Sequence, residues 1–285
     1  MGRQSRFSVR TDMAEDAHRL WQQSQEKSGE LNGVRVKVSQ IKSLRLCEVD
    51  ILSEEGEKTL GKARGRYYSL SLPDKLLRSS MDFDLCAETV AELIHRCFPG
   101  DINNVLVAAL GNPDITPDAL GNLSASSILV TRHLDSTQFP QFNSLALCRP
   151  GVLGTSGIES AEQIKTICSL IKAQLLIVID ALAGSEADKL CRCIQISDAG
   201  ISPGSGVGND RQELSHSSLG IPVISIGIPT VIDASYFGND SFSGMFVTPK
   251  DIDSLVREGA RLIAYGINLA VHRELNISDI DALIS

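Results

Sequence analysis

Leu175-Leu-Ile-Val-Ile-Asp180-Ala-Leu-Ala-Gly184 puts five apolar residues in a row directly before a carboxylate. An unbroken apolar run is what a strand covered on both faces of a parallel sheet requires, since neither side reaches water. A second run, Val105-Leu-Val-Ala-Ala-Leu110, leads through Gly111-Asn-Pro-Asp-Ile-Thr-Pro to Asp118-Ala-Leu-Gly121, so each run leads to an aspartate expected to open the same small turn, Asp-Ala-Leu. Open α/β sheets gather their chemistry at the carboxyl ends of parallel strands. If both runs belong to one sheet, Asp118 and Asp180 converge on one cleft, and two carboxylates are the minimum equipment for acid–base hydrolysis. Each has a plainer reading. Asp118 follows Thr116-Pro117 and suits the first turn of a helix. Asp180 is costly behind five apolar residues unless a partner such as a loop N–H answers it.

Outward from these runs, strand and helix patterns alternate. Apolar positions 83, 85, 90, 93, 94 and 98 fit a helix over 82–98. Strands are expected at 105–110, 127–130, 144–147, 175–179 and 221–226. Ser156-Gly-Ile-Glu159 reads as a capping box opening a helix to about residue 173. Thr248-Pro-Lys-Asp251 reads as the start of a last helix running to about 275. Before this region, residues 34–52 alternate apolar and polar, the mark of an antiparallel hairpin turning near Lys42-Ser43. Residues 67–72 make a third such strand, and 14–25 a short helix carrying Ala17, Leu20 and Trp21 on one face. The expected fold class is α/β, a doubly wound and mostly parallel sheet with a small antiparallel β edge or subdomain over 34–72.

The chain has 285 residues, 42% hydrophobic and 22% charged, with net charge −8. The acidic balance argues against direct nucleic-acid binding and against an anionic membrane surface. No apolar run approaches the roughly 20 residues of a membrane span. The first residues lack the apolar core of a secretory signal, so a cytoplasmic home is expected. Seven cysteines without zinc spacing read as reduced, buried thiols.

Other motifs are weaker. Pro203-Gly-Ser-Gly-Val-Gly-Asn209 has glycines at 204, 206 and 208, which is neither a dinucleotide fingerprint nor a P-loop. Gly200-Ile-Ser-Pro-Gly204 fits the serine-hydrolase elbow by letter. That elbow takes an oxyanion N–H from the residue after the serine, and Pro203 has none. His133 and His216 lack any spacing that marks them for catalysis. Backbone N–H groups of the glycine loop, at Gly204 and Gly206, are candidates to support an oxyanion, and Asn112 and Asp198 are further candidate supporting residues.

Ordered blocks along nearly the whole chain resemble the germination protease (spore protease) family. They include Ser8-Val-Arg-Thr-Asp-Met-Ala14, Gly65-Arg-Tyr67, Thr116-Pro-Asp-Ala-Leu-Gly121, Thr131-Arg-His133, Ile179-Asp-Ala-Leu-Ala183, Ile194-Gln-Ile-Ser-Asp198, Pro203 to Asn209 and Gly227-Ile-Pro-Thr-Val-Ile-Asp-Ala234. The resemblance implies an endopeptidase that degrades small acid-soluble spore proteins during germination, made as a zymogen that trims its own N-terminus. It implies Asp118 and Asp180 as the catalytic pair, acting without a cofactor. A divalent metal at the same carboxylates, or a non-catalytic relic, stands as the alternative. It further implies a three-layer α/β/α sandwich similar to the hydrogenase maturation peptidases, a homo-oligomer of tetrameric type, and residence in the spore interior.

Family substrates are cut between an acidic and a large apolar residue followed by Ala, a form that Thr11-Asp12-Met13-Ala14 repeats. Cleavage at Asp12–Met13 would leave a propeptide of 1–12 and a single peptidase domain of 13–285. Three departures stand out. Ser202 occupies a position where the family has His, Asn122 one where it has Pro, and only residues 235–247 fill the place of a long insertion.

Overall fold

A computed structural model describes residues 11–24, 31–74, 76, 80–208, 211–237 and 242–284. In chain order it places α1 (Ala14–Ser24), β1 (Val34–Ile41), β2 (Leu44–Ile51), α2 (Glu54–Leu60), β3 (Gly65–Ser71), α3 (Met81–Arg96), β4 (Asn104–Ala109), α4 (Leu120–Ser124) and β5 (Ser144–Cys148). Then come α5 (Leu153–Ser156), α6 (Ser160–Ile171), β6 (Leu175–Gly184), β7 (Cys193–Ser197), α7 (His216–Leu219), β8 (Val223–Asp233), β9 (Phe246–Val247), α8 (Ile252–Val271) and α9 (Ile277–Ile284).

The strands form one mixed sheet in the order β1-β2-β3-β7-β8-β6-β4-β5, with β9 paired to β8. The pairs β4–β5, β4–β6 and β6–β8 are parallel. The pairs β1–β2, β2–β3, β3–β7, β7–β8 and β8–β9 are antiparallel. The expectation of a mostly parallel sheet is therefore corrected: the class is α/β, but the sheet is mixed and antiparallel toward its edges. Of the two readings of 34–72, edge or subdomain, the strands take the first: β1, β2 and β3 form the antiparallel edge of this sheet, joined to it where β3 pairs with β7. β7 is the joint that the sequence reading missed; five residues ending in Ser197 are too short to display a period.

Apolar alternation along the parallel strands feeds two clusters. Val105, Val107, Ile177 and Ile179 join α3 and α8, whose Phe83, Leu93, Ile94, Ile263 and Ile267 are fully buried. Each such side chain contributes about 1.5–3 kcal/mol. Leu106, Ala108, Leu176 and Val178, the alternate residues, join Ile164 and Cys168 of α6. All seven cysteines are free and buried.

The hairpin turns at Lys42, whose φ of 55° is the left-handed conformation a tight turn demands. α3 is capped by the Ser80 hydroxyl, which accepts from Phe83 N–H. Four local expectations change. Residues 127–130 are not a strand. The 156–159 capping box does not form: Ser156 closes α5, and α6 starts after Glu159 without a side-chain cap. The last long helix starts after Asp251, where it is expected, but ends at Val271 rather than near 275 and is followed by α9. β6 and β8 run past their apolar cores, to Gly184 and Asp233.

Candidate active site

The two Asp-Ala-Leu segments differ in structure. Asp180-Ala-Leu lies inside β6, in register with Gly227-Ile-Pro229 of β8, so Asp180 does not open a turn as expected. Extension of the strand follows from β8, which supplies ladder partners as far as Gly184. Asp118 ends a single 3₁₀ turn over Thr116–Asp118. The turn sits on the sheet because Thr230 of β8 donates to the Pro117 carbonyl at 2.7 Å, and Leu110 N–H donates to Ile179 O at 2.9 Å.

Asp180 is 5% exposed. Its Oδ1 accepts from Ala181 N–H at 3.0 Å. Burial lifts its carboxyl well above the ordinary carboxylate range; the negative charges of Asp118 and then Asp12 add to the effect. Asp118 is half-buried, and its Oδ2 accepts from Asn112 N–H at 2.7 Å. Burial raises it as well, and the Asn112 bond opposes the rise. Asn112 thus enters the site through its backbone, while its side chain accepts from Asp114 N–H. Asn122 Nδ2 donates to Gly111 O at 2.9 Å, bracing the turn that carries Asn112. A Cβ on Gly111 would lie 1.9 Å from the Asp118 carbonyl, so this close approach requires glycine.

Asp198 is held elsewhere: it accepts from Arg66 N–H and from the Arg66 guanidinium. Gly204 and Gly208 take positive φ around a 3₁₀ turn of Ser205–Val207. Gly206 faces Asp12; a Cβ there would lie 2.2 Å from the Asp12 carboxylate. His216 starts α7. Among the described residues, no cluster of three or more His, Cys, Asp or Glu has the form of a metal site. Nor is any helix among them long and apolar enough to cross a membrane.

The segment 11–16 is docked against the end of β6. Asp12 N–H donates to Ala183 O at 2.8 Å, and Asp12 Oδ2 accepts from Ala183 N–H at 2.8 Å. Met13 and Ala14 are fully buried, while Asp12 is half-buried. Asp16, also fully buried, accepts from Ser185 N–H, Ser185 Oγ and Lys189 Nζ. Lys189 reaches Glu15 and Glu186 as well. This ionic knot pins α1, and no local pattern announces it, because Asp16 and Lys189 lie 173 positions apart.

Known proteins bear on this geometry. A family model described as germination protease matches residues 10–246. The chain is similar to the Germination protease of Clostridium tetani, 34% identical over 98% of this chain and 100% of the relative. It is 36% identical to that of Caldanaerobacter subterraneus subsp. tengcongensis over 98% of each, and 30% identical to that of Bacillus cereus over 95% of this chain and 96% of the relative. On a match of that extent, carried through the blocks around both aspartates, the chain belongs to the germination protease family.

Proposed function

We propose that this chain is an endopeptidase of spore germination in which Asp118 and Asp180 activate water between them. The observation that carries the reading is a carboxyl buried in mid-sheet at Asp180, raised by burial and by the neighbouring charge of Asp118. Like charges so placed do not both ionise cheaply, so the pair shares one proton at neutral pH. The environments assign the roles. Asp180, the more strongly raised, holds the proton. Asp118, half-buried and bonded to an N–H, is the carboxylate. Asp118 takes a proton from water as the oxygen attacks the scissile carbonyl carbon. Asp180 gives its proton to the carbonyl oxygen, and collapse of the tetrahedral intermediate passes a proton to the leaving nitrogen.

Small acid-soluble spore proteins are the substrate class that the family resemblance supports. The uncut chain is a zymogen in this reading. Met13 is fully buried, so trimming of 1–12 requires the segment to lift out first. The spore interior is the proposed site of action, and 13–285 the mature peptidase domain. A three-layer arrangement like that of hydrogenase maturation peptidases agrees with the two apolar clusters fed by alternate residues of β4 and β6. Assembly into a tetramer is supported by exposed apolar side chains at Phe237, Phe242, Met245 and Phe246.

The test is turnover of a peptide containing Thr-Asp-Met-Ala, with and without chelator, with N-terminal sequencing of the aged protein. Chelator-resistant cleavage after Asp and a new terminus at Met13 are expected. Activity lost to chelator and restored by a divalent ion would replace the aspartic mechanism with a metal-dependent one.

A further inference from the structure

The Asp12 carboxylate and carbonyl are held by partners from three other parts of the chain. The Asp12 carboxylate accepts from Ala183 N–H through Oδ2 and from Ser205 Oγ through Oδ1, each at 2.8 Å. Its carbonyl accepts from Gln195 Nε2 at 3.0 Å, and Ala14 N–H donates to Gln195 Oε1 at 2.7 Å. Gln195 is 6% exposed, so both ends of a buried amide are satisfied by the backbone of this one segment. Lys62 lines the same cavity of 380 Å³, of which Asp12 forms one wall. The absence of a side chain at Gly206 makes room for the carboxylate.

Strand register ties this cavity to the catalytic pair. Gly227 of β8 pairs with Asp180 on one side and Gln195 on the other, so the three form a row across the sheet. Neighbours in such a row point to the same face, about 5 Å apart per strand, which sets Gln195 about 10 Å from Asp180, with the Leu182 side chain lying over the intervening Gly227. If residues 1–12 leave, Ala183 N–H, Ser205 and Gln195 Nε2 lose their partners together. Buried donors left bare cost about 1–3 kcal/mol each. Their common complement is another peptide with an acidic side chain.

We propose that the pocket now filled by Asp12 is the specificity subsite of the enzyme, in which Ser205 and the Ala183 N–H select an acidic side chain on the residue before the cut bond, and Gln195 holds that residue's carbonyl. The inference rests on the peptidase reading above for its catalytic half. The chain occupies its own subsite until trimmed.

Two measurements test it, the first on the aged, self-trimmed protein and the second on the full-length chain. In the first, kcat/KM is compared for peptides with Thr-Asp-Met-Ala and Thr-Asn-Met-Ala cores. Hydrogen bonds to a charged group are worth roughly 1.5–3 kcal/mol, so an Asp preference of about tenfold or more is expected, falling toward unity in Ser205→Ala. An Asp preference unchanged by Ser205→Ala overturns the assignment. The second needs no catalysis. Asp12→Ala empties the carboxylate position, and acetate is expected to raise its melting temperature by about 2 °C while acetamide does not. Adding Ser205→Ala is expected to abolish the response, and an acetate effect that is missing or survives that change overturns the assignment. Acetate rescue without cleavage of either peptide would sink the peptidase reading and leave the acid-selective pocket standing.

Discussion

The same three residues, Asp-Ala-Leu, occur at 118–120 and at 180–182 and do opposite things. At 118 the aspartate closes a 3₁₀ turn, half-buried, with an N–H on its carboxylate. At 180 it stands inside a strand, 5% exposed, paired with Gly227 of β8 and one residue past the last pair with β4. The tripeptide itself chose neither outcome. Pro117 and Gly111 force the first chain to turn, while the second continues because β8 offers it ladder partners to Gly184. Burial raises both carboxyls, and Asp180 the more strongly. In the proposed mechanism these surroundings alone give identical residues the two halves of an acid–base pair.

The sharpest way to break the comparison is to neutralise each carboxyl. Asp118→Asn and Asp180→Asn are each expected to cut peptide turnover by about 10³-fold, near 4 kcal/mol of barrier, with the far-ultraviolet circular dichroism unchanged. A variant retaining near-native kcat/KM removes that aspartate from the mechanism.

Stability should separate the two where activity does not. A carboxyl whose folded pKa is raised binds its proton more tightly in the folded state. The stability this supplies is complete below the ordinary carboxylate pKa and is lost as pH climbs toward the raised folded value. At neutral pH Asp180 thus weighs against folding, and an amide of the same shape escapes that cost. Asp180→Asn is expected to stabilise the fold by roughly 1–3 kcal/mol at pH 7, with the gain vanishing near pH 4. Asp118→Asn should gain less, since its carboxyl is the less strongly raised and loses the Asn112 bond. Equal gains from denaturant unfolding at both sites would erase the distinction drawn between them. A smaller effect concerns the brace of the turn. Asn122→Ala removes the bond to Gly111 O and should cost about 1 kcal/mol, with a several-fold fall in kcat, whereas unchanged kcat would show that Asp118 is positioned without it.

The sequence made the parallel center legible because five apolar residues before Asp180 admit few other readings. It also marked the hairpin at 34–52 and the catalytic candidates. What it hid depends on distant partners. β7 is too short to show a period, yet it converts two sheets into one. Gln195 and Ser205 sit in blocks that carry the resemblance, but neither they nor Lys62 show any local sign of their partner; they matter because Asp12 lies among them, from far along the chain. The 127–130 stretch has strand-like residues but no neighbouring strand to pair with, and Leu129 N–H turns instead to Asn268 on α8.

The finest test asks whether Asp180 senses the two other carboxylates in the order the structure gives, Asp118 ahead of Asp12. Each negative charge opposes ionisation at Asp180, so removing either should let it ionise at lower pH. Carbon-13 NMR titration of the Asp180 carboxyl in the full chain reads this directly. Asp118→Asn is expected to move the midpoint toward acid most, and Asp12→Asn to move it in the same direction by less. An unmoved midpoint in Asp12→Asn would mean that the docked N-terminal segment is electrically silent at the pair, and that its only hold on the site is steric.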